Sequence, residues 1–196
     1  MIQYPEAFEK VLLYFSRFQG IGRKTAERLV FDMLTRWDER AVREFSESLQ
    51  QLLSGIVVCP ECRIHVEALP CRFCSQDRQK ELCIVATSKD AYAIERTGLY
   101  PGLYYVLGTT LSPLDDRGID LEELKRRIEK HQVTEVIFAF DSSLEGDATV
   151  SFLKGELESS GVQMSRLAAG VPVGATLEFI DRGTLGRAFS GRQRLH

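Results

Sequence analysis

The stretch VTEVIFAFDSSLEGD (133–147) decides the fold class, because it joins an apolar run to a group of acids. The run VTEVIFAF is rich in β-branched and aromatic residues and is typical of a buried strand. Asp141, Glu145 and Asp147 follow where that strand would end. Carboxylates at a strand end can hold magnesium beside a phosphate. The stretch is therefore typical of the metal site of a nucleic-acid enzyme, or of a site derived from one.

The segments on either side alternate between strand-like and helix-like patterns. Further strands are predicted at LCIVAT (82–87), LYYVLG (103–108) and VQMSRLA (162–168). Helices are predicted at DAYAIERTG (90–98), at LEELKRRIEKH (121–131) and from about Asp147 to Ser159. Strands that alternate with helices imply right-handed crossovers, so we expect an α/β fold with a mainly parallel sheet.

The chain as a whole divides into four segments by pattern. Residues 1–55 show apolar side chains at three- and four-residue spacing, which predicts helices. Residues 56–78 hold a cysteine cluster, 79–170 form the α/β block, and 171–196 form a tail.

Composition limits the class of protein. The 196 residues are 44% hydrophobic and 27% charged, which is ordinary for a globular protein. The net charge of −3 means that a nucleic-acid surface, if present, is local. The first residues lack the apolar core of a secretion signal, and no apolar run approaches the roughly 18 residues of a membrane span. We expect a cytoplasmic protein with no membrane segment.

A two-glycine turn separates the first two predicted helices, in FSRFQGIGRKTAERLV (15–30). Gly20 and Gly22 permit a tight turn, and Arg23, Lys24 and Arg28 follow at the start of the next helix, where the dipole favours anions. The missing third glycine and missing preceding strand exclude dinucleotide-binding and P-loop motifs. The segment resembles a helix-hairpin-helix that grips a nucleic-acid backbone. The alternative is an ordinary turn with solvated charges.

Four of the five cysteines form two C-x-x-C pairs in CPECRIHVEALPCRFC (59–74). Each pair can deliver two thiolates to a tetrahedral zinc, so Cys59, Cys62, Cys71 and Cys74 predict a structural zinc site with a closed shell. Unrelated thiols or a redox pair are the alternatives, and His65 is the one rival ligand.

The order of these parts resembles the RecR family of bacterial recombination mediators. The tail RLAAGVPVGATLEFIDRGTLGRAFSGR (166–192) carries the resemblance most specifically, and GTTLSPLD (108–115) and LEGDAT (144–149) add to it. The resemblance implies a Toprim fold for the α/β block, zinc at the four cysteines, and a DNA contact at the hairpin. Lys24 and Arg28 match the family's basic positions.

The resemblance also bears on the acids. Catalytic Toprim domains use a glutamate at the end of the first strand for proton transfer, and here that position is Ala86. We therefore expect a non-catalytic site. The family's acidic cluster is associated with docking the partner RecO, which implies that role for Asp90, Glu145 and Asp147. Magnesium there is left open, and Asp141 is read as a turn residue.

The resemblance thus implies a non-enzymatic DNA-binding mediator of recombinational DNA repair. It would clamp single- or double-stranded DNA without reading sequence and, with RecO and RecF, promote recombinase loading on single strands. The family's ring-like assemblies imply a homo-oligomer, a dimer or ring tetramer, with the tail packing on a neighbouring subunit or serving as a basic strip. One alternative is a magnesium-dependent Toprim nuclease or primase-like enzyme with Asp90 in place of the missing glutamate. Another is a zinc-ribbon RNA-binding protein.

Overall fold

The computed structural model describes residues 4–75, 77–110, 119–168 and 170–192. Residues 111–115 of the motif GTTLSPLD lie outside the described residues. The chain divides into two compact units, Met1–Gly55 and Ile56–His196. Within the described ranges, no helix is both long and apolar enough to cross a membrane.

The first unit consists of helices, as the apolar spacing predicts. They are α1 (Glu6–Phe15), α2 (Arg23–Arg36) and α3 (Glu39–Gly55). Phe8 and Leu12 of α1 pack against Ala26 and Val30 of α2. Helix α3 is strongly amphipathic, yet none of its residues is buried within this single chain. Its apolar face therefore remains open to solvent or to a partner.

The second unit begins with a short antiparallel hairpin that the sequence patterns did not predict. It pairs β1 (Val57–Val58) with β2 (His65–Val66). The unit continues with strands β3 (Gln79–Val85), β4 (Gly102–Val106), β5 (Glu135–Ala139) and β6 (Gln163–Arg166). Its helices are α4 (Ser88–Glu95), α5 (Leu121–His131), α6 (Leu144–Leu157) and α7 (Arg182–Ser190).

Strands β3 to β6 form one sheet in the order β4-β3-β5-β6, and all three pairings are parallel. The prediction of an α/β fold with a mainly parallel sheet, preceded by helices and a four-cysteine cluster, is confirmed. The predicted strands and crossover helices are present, with ends shifted by a few residues.

Both faces of this sheet are covered, as is usual for parallel sheets. Alternate residues of β3 point to opposite sides: Leu82 and Ile84 join the core that α5 and α6 cover. Cys83 and Val85 join a second core, which contains the cysteine cluster. This double burial explains why the strand reads as a continuous apolar run rather than as an alternating one.

Helix α6 begins three residues before the predicted start, at Leu144 rather than near Asp147. The reason is a cap: the Ser143 hydroxyl oxygen accepts a hydrogen bond from the Gly146 amide at 3.1 Å. Glu145 and Asp147 consequently lie in the first turn of the helix, rather than in a loop.

Candidate functional site

The four predicted zinc ligands come together. The sulfur atoms of Cys59, Cys62, Cys71 and Cys74 all lie within 4.8 Å of one another. The Cys59–Cys74 pair is separated by 3.9 Å and the Cys62–Cys71 pair by 3.6 Å. Thiolates bound at 2.3 Å to a tetrahedral zinc would be about 3.8 Å apart. The residues therefore fit a four-thiolate metal site.

Backbone hydrogen bonds shape the first pair into a knuckle. The Cys59 amide donates to the Ile64 carbonyl, and the Arg63 amide donates back to the Cys59 carbonyl, both at 2.9 Å. Arg63 adopts a left-handed φ of 62°, which closes this turn. The Cys62 carbonyl accepts from the Val106 amide at 2.8 Å, so the knuckle is fixed to the end of β4.

His65 is held away from the thiols, because its Nδ1 lies 2.8 Å from the Ser88 hydroxyl at the start of α4. Among the described residues, the side chains that could share one metal ion are those of the four cysteines, and His65 is not one of them.

Arg127 of α5 adds a positive charge beside the thiols. Its Nη2 lies 3.3 Å from the Cys74 sulfur. A hydrogen bond from the Cys62 thiol and the charge of Arg127 together lower the pKa of Cys74 to about 5. The thiolate is the form that binds zinc, so Cys74 is favoured as a ligand, while the same hydrogen bond and burial raise the pKa of the Cys62 thiol in the metal-free cluster.

Arg127 and its partner Glu61 were not singled out from the sequence. A signal was present: Arg127 lies three residues after Leu124 and next to Ile128, both buried. A charged residue on the apolar face of an amphipathic helix needs a buried partner.

The glycine turn has the geometry that its sequence predicts. Gly20 adopts a φ of 81°, a left-handed conformation that side chains rarely take. The Ile21 amide donates to the Phe18 carbonyl at 3.0 Å, and Gly22 is the N-cap of α2. The first-turn amides of α2 are thus presented directly after the turn.

The three basic residues of the hairpin are not equivalent. Arg23 contacts both carboxylate oxygens of Glu9, at 3.0 and 3.2 Å, and approaches Glu27 at 3.5 Å. Lys24 and Arg28 are exposed, and neither forms an ion pair with another described residue. They lie four residues apart on one face of α2. Arg23 is therefore engaged inside the hairpin, while the other two are available to an anion.

The carboxyl ends of β3 and β5 border a crevice of about 380 Å³. Ala86, Asp90, Asp141 and Glu145 all line it. Asp147 is not among its described lining residues. The Oδ1 atom of Asp147 instead lies 2.7 Å from an Arg166 guanidinium nitrogen, an ion pair without hydrogen-bond alignment.

Asp90 has a structural task within this crevice. Its Oδ2 accepts hydrogen bonds from the Thr87 amide at 2.9 Å and the Thr87 hydroxyl at 2.7 Å, which forms a capping box at α4. The sequence signal was the Thr-x-x-Asp spacing at 87–90. Ala86 lines the same crevice as Glu145, and its methyl group can neither take a proton nor bind a metal. This geometry disfavours Asp90 as a replacement for the missing catalytic glutamate.

Comparison with known proteins agrees with this arrangement. The model of the Toprim domain matches residues 80–168, and the model of the RecR C-terminal region matches residues 170–193. A recombination protein RecR of Chlamydia abortus is 44% identical over 98% of both chains. RecR of Chlamydia trachomatis serovar D is 41% identical over 98% of both chains. RecR of Protochlamydia amoebophila is 41% identical over 98% of this chain and all of its own. The chain belongs to the RecR family of recombination proteins.

Proposed function

We propose that this chain is a non-enzymatic mediator of recombinational DNA repair that clamps DNA and, with RecO and RecF, promotes recombinase loading on single strands. Family membership over nearly the whole chain is the observation that carries this proposal. The crevice adds to it, since Ala86 stands where proton transfer would need an acid. The protein acts in the cytoplasm, where bacterial DNA lies.

The four sequence segments carry separate tasks in this proposal. Residues 1–55 bind DNA, 56–78 hold zinc, 79–170 form the Toprim domain, and 171–196 serve oligomerisation. The spacing of the four thiols supports the zinc assignment. A closed shell leaves no position for a substrate, so the zinc stabilises the fold and does no chemistry.

Lys24 and Arg28 are proposed to bind backbone phosphates without reading bases. Both are exposed and unpaired within the described part of the first unit, next to the amides at the start of α2. Gly20 and Gly22 let the strand approach the turn without a Cβ in the way: no heavy atom lies within 4 Å of a Cβ built at either position. Arg23 supports this surface by fixing α2 to α1 through Glu9.

Salt titration of DNA binding tests this surface. Each phosphate contact contributes about 0.7 to the salt slope for single-stranded DNA, so Lys24→Gln/Arg28→Gln should lower the slope by about 1.4. The ratio of the wild-type affinity for DNA to that of the double variant should then grow about sevenfold as the salt concentration is lowered from 200 to 50 mM.

A charge-matched control is available in the same unit. Lys10→Gln/Arg40→Gln removes two exposed cations whose partners are Glu6 and Glu44 on their own helices. It should leave the slope close to that of the wild type. Equal slopes for all three proteins would contradict the proposed contact.

The acidic crevice is proposed to dock RecO. Of the three acids in the proposed cluster, Glu145 is the best placed for this task, because it is exposed at the crevice and forms no ion pair with a described residue. Asp90 and Asp147 are already engaged by Thr87 and Arg166. Glu145→Lys should weaken RecO binding in a pull-down or calorimetric titration while the protein stays folded, with a loss of about 1 kcal/mol or less from the helix dipole. Unchanged RecO affinity would remove this crevice as the docking site.

The assembled form is proposed to be a homo-oligomer, a dimer or a ring tetramer. The open apolar face of α3 supports this, as do exposed side chains in the tail such as Phe179 and Phe189. Molecular mass in solution, with and without DNA, is the direct measurement. A strict monomer under both conditions would refute the clamp.

A further inference from the structure

A buried arginine faces the four thiols from helix α5. Arg127 is 3% exposed; one terminal nitrogen lies 3.3 Å from the Cys74 sulfur and the other donates to a Glu61 carboxylate oxygen at 3.3 Å. Its Nε has no hydrogen-bond partner among the described residues. Taking an ion out of water is strongly unfavourable unless opposite charge and hydrogen bonds compensate. The position of Arg127 therefore requires negative charge beside it.

Glu61 supplies that charge only in part. Its side chain is 41% exposed, and its other oxygen already binds the Lys130 ammonium at 2.6 Å. His131 also approaches the same carboxylate, at 3.9 Å. Two cationic side chains of α5, Arg127 and Lys130, thus share one acid. A second source of negative charge is needed, and the nearest group is the cysteine cluster.

Zinc bound by four thiolates has a net charge of about −2. The loaded cluster would therefore be a buried anion, and the Arg127 guanidinium lies against one of its ligands. A hydrogen bond to a metal-bound group from outside the shell is a common means of orienting the ligand and stabilising the site. The charge of the cluster and the charge of the arginine are complementary, and each would be unfavourable in this place without the other.

We propose that Arg127 is a positioning residue of the metal centre, which hydrogen-bonds the Cys74 thiolate, offsets the charge of the zinc–thiolate cluster and holds the cysteine module against α5. This proposal rests on the zinc site proposed above. Helix α5 also buries Leu124 and Ile128 in the core of the sheet. Metal loading and packing of the Toprim sheet are therefore linked through one side chain.

Metal titration of the full chain tests the role of Arg127. The protein is stripped of metal under reducing conditions, titrated with Co²⁺ while the thiolate-to-cobalt absorption band is recorded, and then titrated with Zn²⁺ in competition. Arg127→Met should weaken Zn²⁺ binding by about 10- to 100-fold, the usual effect of losing a group that supports a metal ligand. The absorption band should also shift, because the Cys74 thiolate loses a hydrogen bond. Arg127→Lys keeps the charge but not the planar guanidinium group, so its Zn²⁺ affinity should lie between those of the wild type and Arg127→Met.

Lys125→Met is the matched control, since Lys125 lies on the same helix and pairs with Glu156 rather than with the cysteine module. Its metal affinity and absorption band should equal those of the wild type. If Arg127→Met does not fold even with saturating Zn²⁺, Arg127→Lys decides: a wild-type band and wild-type affinity in that variant would overturn the proposal. Equal affinity and spectrum in Arg127→Met would overturn it as well. If the wild type itself binds no metal, the zinc site fails, which is a separate result.

Discussion

Gly146 marks the point where helix α6 meets the loop that ends β5. A Cβ added there would lie 2.1 Å from the Asp141 carbonyl oxygen, more than 1 Å inside an ordinary contact. Because the Cβ is fixed directly to the backbone of α6 and the Asp141 oxygen is a backbone atom, no flexible side-chain end can move away to relieve the contact. Gly146→Ala should therefore destabilise the protein by about 1–3 kcal/mol, the usual result of overpacking. In thermal unfolding, each kcal/mol corresponds to about 2–4 °C for a chain of this size.

Gly155 provides the matched control in the same helix, since nothing lies within 4 Å of a Cβ built there. Gly155→Ala should stabilise α6 by about 0.5–1 kcal/mol, because alanine loses less backbone entropy on folding. The two substitutions add the same methyl group with opposite expected signs. Unfolding of both variants by heat or urea, with the wild type alongside, measures the difference. If both midpoints move in the same direction by the same amount, the close approach of α6 to Asp141 is not real.

Three further outcomes are expected. Hydrogen bonds and the charge of Arg78 hold the pKa of Glu95 below its ordinary 4.5. A carboxyl group with a depressed folded pKa stabilises the protein above its unfolded pKa, and this stability is lost as pH falls through the folded value. Glu95→Gln should therefore lower the stability near neutral pH and reduce its loss below about pH 4.5, as measured by urea unfolding at a series of pH values. If the free energy of unfolding of Glu95→Gln falls with acid as steeply as that of the wild type, the ion pair does not have this role. Asp90→Ala should cost about 0.5–2 kcal/mol through loss of the capping box, whereas Glu145→Gln, which loses only a charge near the N-terminus of α6, should cost less, about 0.3–1 kcal/mol. Equal midpoints for these two variants would show that the box contributes no more than that charge does. Chelation of zinc should destabilise the second unit and leave the helical signal of residues 4–55 in place, which circular dichroism of the metal-free chain can check. Full retention of the second unit would contradict a structural metal.

The architecture was predictable wherever the pattern is local. The second half of strand β3, from Leu82 to Val85, is a continuous apolar run because its alternate residues enter two different cores, and this run predicts the strand. The four cysteines were equally clear, since two C-x-x-C pairs have few other uses. Helix α5 was predicted with both ends correct, at Leu121 and His131, because its acids and bases match the helix dipole at each end.

The individual roles of charged residues were less predictable. Arg23, Lys24 and Arg28 look alike in the sequence, yet only tertiary structure shows that Glu9 of the preceding helix engages Arg23. The resemblance gives Asp90, Glu145 and Asp147 one shared role, but in the structure Asp90 caps α4 through Thr87 and Asp147 pairs with Arg166, a partner that residue spacing does not reveal. The apolar spacing of α3 predicts a helix, but it does not reveal that none of its residues is buried by the described part of the chain; Phe45 contacts Trp37, and Leu49 and Leu52 remain exposed.

These observations explain how a Toprim sheet can keep its crevice without keeping its chemistry. The crevice depends on backbone contacts, such as the Ser143 cap and the approach of Gly146 to Asp141, and none of these needs the catalytic glutamate. Replacing that residue with Ala86 removes proton transfer but leaves the strand ends and the first turn of α6 in place. A shaped, acidic opening, in which the Asp141 and Glu145 carboxylates form no ion pair with a described residue, is then free to evolve as a binding surface. In the function proposed for this chain, the Toprim sheet therefore serves as a rigid support for the docking crevice, and the cysteine module packs against the opposite face of that sheet.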